Sequence, residues 1–400
     1  MSLPLIQGRD IIMIGIQPWD FEIGCNFKDM AYEIARHNRV LYVNRPLDRI
    51  TSWRAPNDVK TLARKDSIEK GIKVLNEVHP NLWVFNPQVM LESINWMNDG
   101  AFYRYFNKRN NSRQAKEITA AMDKLGFKNA VLFIDNDFFN GLYLPDLLNV
   151  DCTVYYLRDY LLAQPYFRKH GIKAEPALIK KSDLVVANSL YLASYARQYN
   201  GKSFYIGQGC GDLYFKPAGG TAPADMADIK KPIIGYCGFL TSARLDIQLL
   251  LELATQRPQW NFVLVGPEDS DFQKSALHGL ANVFFLGRKE ETALPGYVNH
   301  FDVCLNPQLV NQLTIGNYPR KVDEYLAAGK PVVATRTETM EAFADCTYLC
   351  KNVQEYLEAI EKALSDDNEA AVKMRKEVAA SHSWENSIAG FYKAVYELKK

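Results

Sequence analysis

The sequence predicts an α/β protein built from two Rossmann-like, parallel-sheet domains, and three observations carry that reading. Residues 10–16, 26–37 and 40–44 read as strand, helix and strand, the unit from which a parallel sheet grows. Around residues 217–232 the chain turns rich in Gly, Ala and Pro, the composition of a linker. Residues 232–237 then open a second apolar strand that runs into a glycine turn. At 400 residues, 48% of them hydrophobic, the chain is long and apolar enough for two cores of ordinary size.

The first strand, 10–16, leads into a loop at 17–25 containing Pro18, Trp19 and Gly24, and Asn26 caps the helix that follows. No G-x-G-x-x-G is present there, so dinucleotide binding at this end has little support. Residues 45–73 are polar and poorly periodic and read as an excursion from the sheet; 82–85 resumes a strand. From 96 to 113, Trp96, Met97, Phe102, Tyr103, Tyr105 and Phe106 alternate with Arg104, Lys108, Arg109 and Arg113. Two readings stand for this stretch: a basic, aromatic surface for an anionic membrane interface or lipid-phosphate acceptor, or a core helix with a solvated basic face.

Strand 130–134 runs into Asp135-Asn136-Asp137 and strand 152–157 into Arg158-Asp159-Tyr160. Acids just past strand C-termini lie on the edge where open α/β sheets bind ligands. Asp159 and Asp137 are therefore the candidates for a general base acting on an acceptor hydroxyl. The alternative is that each caps a loop or pairs with an arginine, as Arg158 suggests for Asp159. Strand 183–187, the Asn188-Ser189 cap with its helix, and 204–215 complete the first domain.

In the second domain, Gly238-Phe239-Leu240 forms the turn after 232–237, and a helix is expected from about 244 to 256. A glycine there lets backbone approach a phosphate closely, and Arg244 at the helix start offers a charged fork. Strands 260–265 and 283–286 end in Gly266-Pro267 and Gly287-Arg288; helix 291–299 and strand 302–306 follow. Residues 317–335 then read NYPRKVDEYLAAGKPVVAT. Pro319 suits a helix start. Val322, Tyr325, Leu326 and Gly329 share one face and Arg320, Lys321 and Glu324 another, while Gly329 ends the helix before a buried strand. Amides at the helix start, with two cations in the first turn, call for an anion such as a nucleotide diphosphate. The chain after 335 reads as helical, and 383–400 as a last helix with Trp384, Ile388, Phe391 and Val395 on one face.

The 317–335 segment resembles the donor signature of GT-B glycosyltransferases, especially bacterial family-4-type (group 1) sugar transferases, whose pattern is roughly P-x-K-x-x-E-Y-L-A-x-G-x-P-V-V. The resemblance is dense from 232 to 335 and weak before 180. It implies two domains facing a cleft, a C-terminal helix crossing back to the N-terminal domain, and an activity of the hexosyltransferase type (EC 2.4). The implied division is an acceptor-side domain at 1–216, a linker at 217–231, a donor domain at 232–382 and the returning helix at 383–400. Lys321 is implied to bind the diphosphate of a UDP- or GDP-sugar and Glu324 its ribose, with Gly238, Arg244, Gly287, Arg288, Asn317 and Tyr318 completing the donor set. Trp19, Asp20 and Glu22 of the first loop face the acceptor in this reading. Many family members carry a second Glu seven residues before Glu324, where this chain has Gly316.

No cofactor is expected: the diphosphate is stabilised by Arg244, Lys321 and amides, and Asp135-Asn136-Asp137 lies in the wrong half to serve a donor metal. The six histidines show no metal-ligand spacing, and no G-x-S-x-G elbow is present. Lys plus Arg (47) balances Asp plus Glu (46), which argues against nucleic acid as partner. Seven scattered cysteines without a CxxC suit a reducing cytoplasm. Neither signal peptide nor spanning segment is visible, so contact with the inner face of a membrane is expected to be peripheral. The acceptor is expected to be a saccharide or a lipid-linked saccharide of cell-surface polysaccharide synthesis. Two other readings remain: an epimerase or hydrolase of nucleotide sugars on the same fold, and a non-catalytic subunit that binds them.

Overall fold

In the computed structural model, residues 6–20, 26–216 and 222–398 are described, so Glu22 and part of the expected linker lie outside the described residues. The chain divides into two compact units, residues 1–207 with 387–400, and residues 208–386.

Unit 1 is built on eight strands: β1 (Asp10–Gly15), β2 (Arg39–Val43), β3 (Leu75–His79), β4 (Leu82–Phe85), β5 (Val131–Asp135), β6 (Cys152–Leu157), β7 (Leu184–Ala187) and β8 (Ser203–Tyr205). Their order is β3-β4-β2-β1-β5-β6-β7-β8, parallel except for the antiparallel β3–β4 pair. The central strands are buried on both faces and read as continuous apolar runs, as strands covered by helices do. The 45–73 stretch, expected as an irregular excursion, contains the helices Arg49–Arg54 and Val59–Lys70. Asp48 and Asp58 cap them by accepting from the amides of Thr51 and of Lys60 and Thr61.

Unit 2 carries β9 (Ile233–Cys237), β10 (Asn261–Val265), β11 (Val283–Gly287), β12 (Val303–Asn306), β13 (Val332–Thr335) and β14 (Tyr348–Cys350). Their order is β11-β10-β9-β12-β13-β14, every pair parallel. The strand order reverses beside β9, the position where open parallel sheets leave a crevice at their C-terminal edge. β14 interrupts the region after 335 that periodicity presented as helical.

The boundary between units falls ahead of the expected 216. Cys210 and Tyr214 join the core of unit 2, and the Cys210 amide donates to His382 O at 2.7 Å. The last helix, Trp384–Glu397, buries Ile388, Phe391 and Val395, and from Ser387 onward it is part of unit 1. Phe391 meets Phe133 edge-on at 5.3 Å, and Asn38 Nδ2 donates to the Tyr392 hydroxyl at 2.8 Å. Among the described residues no helix is long and apolar enough to cross a membrane.

Candidate functional site

Three glycine turns leave the C-terminal edge of the unit 2 sheet: Gly238 after β9 (φ +145°), Gly266 after β10 (φ +148°) and Gly287 closing β11 (φ +67°). Two of them are stacked. The Gly238 amide donates to Val265 O at 2.8 Å, and a Cβ on Gly266 would lie 1.9 Å from Gly238 O. A side chain is excluded by space as well as by backbone angle.

Against this edge lies the helix Arg320–Ala327, whose Val322, Tyr325 and Leu326 are buried as their spacing requires. Tyr325 locks it to β9, its hydroxyl accepting from the Cys237 amide at 2.9 Å. Gly329 at φ +78° closes the helix, with the Gly329 amide on Leu326 O and the Lys330 amide on Tyr325 O. Pro319 precedes the helix as its cap. The Arg320 and Val322 amides are taken inside the turn by Tyr318 O and Pro319 O, so the helix start offers fewer open amides than expected.

Lys321 is laid across the glycine turn. A Cβ on Gly238 would fall 2.0 Å from Lys321 Cε and 2.8 Å from its Nζ, and the ammonium lies 5.7 Å from the centre of the Tyr236 ring. No carboxylate forms an ion pair with Lys321 among the described residues. Asn317, just before the helix, is 6% exposed, and neither its Oδ1 nor its Nδ2 has a hydrogen-bond partner. Buried amides are almost always satisfied, so an orphan one at the start of the helix that carries Lys321 marks a place for a ligand. Glu324 accepts from Arg320 Nε at 3.0 Å; burial pushes its carboxyl above the usual range, against the pull of Arg320 and Lys321.

Arg244 sits in the connection after Gly238, ahead of the helix Ile247–Gln256 and its cap Asp246, rather than at the helix start. Its backbone is pinned by the bonds of its amide to Thr241 O and of the Leu309 amide to its carbonyl. Its guanidinium forms no ion pair among the described residues. Arg288 follows Gly287 and is exposed. Tyr318 is buried, its hydroxyl donating to Asp323 Oδ2 at 2.6 Å, and Asp323 Oδ1 lies 2.8 Å from His382 Nδ1. This pair of buried Asp323 with half-buried His382 was missed in the sequence, because Asp323 is one acid among the charges of the Arg320–Glu324 run and nothing in the spacing ties it to residue 382. Gly316, at the position where a second Glu is common, is buried.

Unit 1 brings its candidate acids together at the ends of β5 and β6. Asn136, at φ +51°, staples the two strand ends: its Oδ1 accepts from the amides of Arg158 (2.7 Å) and Asp159 (3.2 Å), and its Nδ2 donates to Asp159 O (2.9 Å). Arg158 bonds Asp135 at 2.7 Å and Asp159 at 3.1 Å. Burial pushes the Asp135 carboxyl up to about 6 despite that arginine. The Asp159 side chain stays 27% exposed. Asp137 is buried, and Asn140 occupies both its oxygens, at 3.0 Å from the amide and 2.8 Å from Nδ2. In the first loop, Trp19 packs against Tyr32 and Tyr42, and Asp20 forms a two-pronged pair with Arg64.

Residues 231–366, most of unit 2, match the model of a family described as Glycosyl transferases group 1. A putative teichuronic acid biosynthesis glycosyltransferase of Bacillus subtilis is 29% identical over 160 residues, which span 38% of this chain and 40% of that protein's length. Solved structures resemble the whole chain. Sucrose-phosphate synthase from Thermosynechococcus elongatus matches with a TM-score of 0.65 and 16% identity over 97% of this chain and 98% of its own. Anabaena HepE in complex with UDP gives 0.65 and 16% over 98% and 100%. The trehalose-phosphate synthase of Burkholderia vietnamiensis gives 0.67 and 12% over 98% and 99%. The fold is thus the GT-B fold, two parallel-sheet α/β domains.

Proposed function

We propose, with the group 1 match of residues 231–366 as premise, that this protein is a glycosyltransferase of the hexosyltransferase type. Its donor is a nucleoside diphosphate sugar bound by unit 2, and its acceptor a saccharide or lipid-linked saccharide. One observation carries the donor assignment: the Lys321 ammonium, in no ion pair among the described residues, lies across the Gly238 turn, and Asn317, ahead of the same helix, keeps a buried amide without a partner. A cation without a carboxylate partner, over backbone that no side chain can shield, forms a site that is complete only with an anion.

In this reading Lys321 and Arg244 stabilise the diphosphate as it leaves, the electrostatic term that usually dominates such catalysis. Glu324 accepts hydrogen bonds from the ribose hydroxyls, and the backbone at Gly287 and Arg288 borders the base. The bond from the sugar's anomeric carbon to the diphosphate breaks as the acceptor oxygen bonds that carbon, and Asp159 takes the acceptor proton. Asp159 suits this better than Asp137, whose oxygens Asn140 already holds. UDP is the first nucleotide to test, since HepE and a trehalose-phosphate synthase relative are described with UDP or as UDP-forming. The Bacillus relative, whose name places it in teichuronic acid biosynthesis, supports a place in cell-surface polysaccharide synthesis.

A thermal-shift panel of UDP, GDP and their sugars tests the donor site, because a ligand of the native state raises apparent stability by mass action. A rise with one nucleoside diphosphate and its sugars is expected; no rise with any member sinks the donor assignment. Product analysis with and without added acceptor then separates transfer from hydrolysis or epimerisation.

A further inference from the structure

Unit 1 holds a cavity of about 670 Å³ that neither the donor site nor the proposed base uses. Its wall comes from the connections leaving the C-terminal ends of β2, β4 and β5, which supply Arg45, Asn95, Trp96 and Asn140, and from Asn107 of the helix Ala101–Leu125. That is the ligand-binding edge of a parallel sheet, and the volume lies in the range of small-molecule sites.

Two buried polar atoms of this wall have no partner. Asn107 is 2% exposed; its Oδ1 accepts from Asn111 Nδ2 at 3.1 Å, but its Nδ2 donates to nothing. Asn95 donates through Nδ2 to Tyr166 O at 3.3 Å, and its buried Oδ1 accepts nothing. One waiting donor and one waiting acceptor are what hydroxyl groups satisfy. Asn140 adds a third amide, oriented by the bond of its Nδ2 to Asp137.

Charge and shape narrow the ligand further. Arg45 and Arg54 line the cavity and form no ion pair among the described residues. The acids in the wall are engaged: Glu92 by Arg49 at 2.7 Å and Arg113 at 3.8 Å, Asp48 by Thr51 and Ser93. With Glu92 paired to Arg49 and the Asp48 carboxylate facing the charge of Arg45, Arg54 and Lys169 leave the wall net positive. Trp96, 68% exposed with its indole N–H fixed on Ser93 O at 2.8 Å, and Tyr166, 55% exposed, offer flat apolar surfaces of the kind the C–H face of a sugar ring covers.

We propose that this cavity binds an anionic saccharide, a sugar bearing a carboxylate or a phosphate. The hydroxyls meet Asn95, Asn107 and Asn140, the ring lies on Trp96, and the anion meets Arg45 and Arg54. The assignment rests on the glycosyl-transfer reading for the role of that saccharide as acceptor.

The test is saturation-transfer NMR and competition titration on the full chain with four probes: methyl glucuronide, glucose 6-phosphate, methyl glucoside and inorganic phosphate. One or both charged sugars bind about tenfold more tightly than the neutral glucoside, the scale of a charge-assisted hydrogen bond. The one that binds identifies the anion as carboxylate or phosphate. Arg45→Gln with Arg54→Gln abolishes that advantage, and Trp96→Ala weakens every sugar. Arg54 and Trp96 are exposed, so those variants keep the fold even where a change at buried Asn107 does not. Failure of both charged sugars to bind overturns the proposal, as does binding indifferent to the arginines or phosphate binding as well as glucose 6-phosphate. UDP binding, followed in the same samples, separates the two readings: its persistence while the sugars fail leaves the donor assignment standing, and its loss removes that assignment whatever the cavity does.

Discussion

At the scale of single residues, Lys321 and Glu324 are one helical turn apart yet carry different expectations. Lys321→Ala removes a charge-assisted contact and should weaken UDP and its sugars by about 1.5–3 kcal/mol; a folded variant with unchanged UDP affinity ends the assignment. Glu324→Gln should weaken ribose-bearing ligands and leave inorganic pyrophosphate nearly unaffected, measured by titration calorimetry. Equal losses would make Glu324 a structural partner of Arg320, to which it is already bonded. For the base, Asp159→Asn should lower turnover by roughly 10²–10⁴ while UDP-sugar binding holds. Near-normal turnover would transfer attention to a retaining route that needs no such base. The sequence exposed Lys321, Glu324 and Asp159 through motif and strand position. It also suggested the Arg158–Asp159 pair, but it hid Asn136: a left-handed asparagine stapling two strand ends is a tertiary fact, and a lone Asn between two aspartates resembles an ordinary turn.

At the scale of elements, the donor helix Arg320–Ala327 is held from below by Asp323, buried between Tyr318 and His382. The bond from Asp323 raises the His382 imidazole above its usual value. A raised folded-state value means the contribution is fully present below the unfolded value of about 6.5 and is lost as pH rises through the folded one. In urea melts, His382→Ala should therefore cost about 1–3 kcal/mol near pH 6, and the difference from wild type should shrink toward alkaline pH. A gap constant with pH would refute the pairing. The helix Ala101–Leu125 buries Tyr103, Asn107 and Asn110, the core face of one reading of 96–113, while Phe102 and Tyr105 stand exposed beside Arg104, Lys108 and Arg109, the surface on which the membrane reading depends. Its exposed face should sediment with anionic vesicles at low salt and release as salt screens charges beyond about 10 Å at 0.1 M; no sedimentation at low salt removes the membrane contact. Periodicity found the buried strands easily, since they are apolar runs bounded by turns. It missed the helices Arg49–Arg54 and Val59–Lys70, the first with no buried residue and the second with only Thr61, Arg64 and Ser67, so that no apolar stripe marks either one.

At the scale of the whole molecule, both chain ends serve unit 1, although the last helix is reached only after the chain has built unit 2. The apolar face of 383–400 was legible from spacing alone, but what it covers was not, because a buried stripe does not name its partner. The structure names it: Phe391 is fully buried against Phe133 of β5, and Tyr392 accepts from Asn38. A chain of two cores need not unfold in one step, so each core can be followed by its own response. UDP, binding unit 2, should raise one calorimetric transition by RT ln(1 + [L]/Kd), about 2.7 kcal/mol at a hundredfold excess over Kd. Phe391→Ala empties an aromatic site from unit 1 and should lower its stability by about 3–5 kcal/mol. The expected record is a fall in the transition that UDP does not move, with UDP affinity and the UDP-responsive transition kept. If Phe391→Ala instead lowers the UDP-responsive transition and spares the other, the last helix supports unit 2, and its place in unit 1 is wrong.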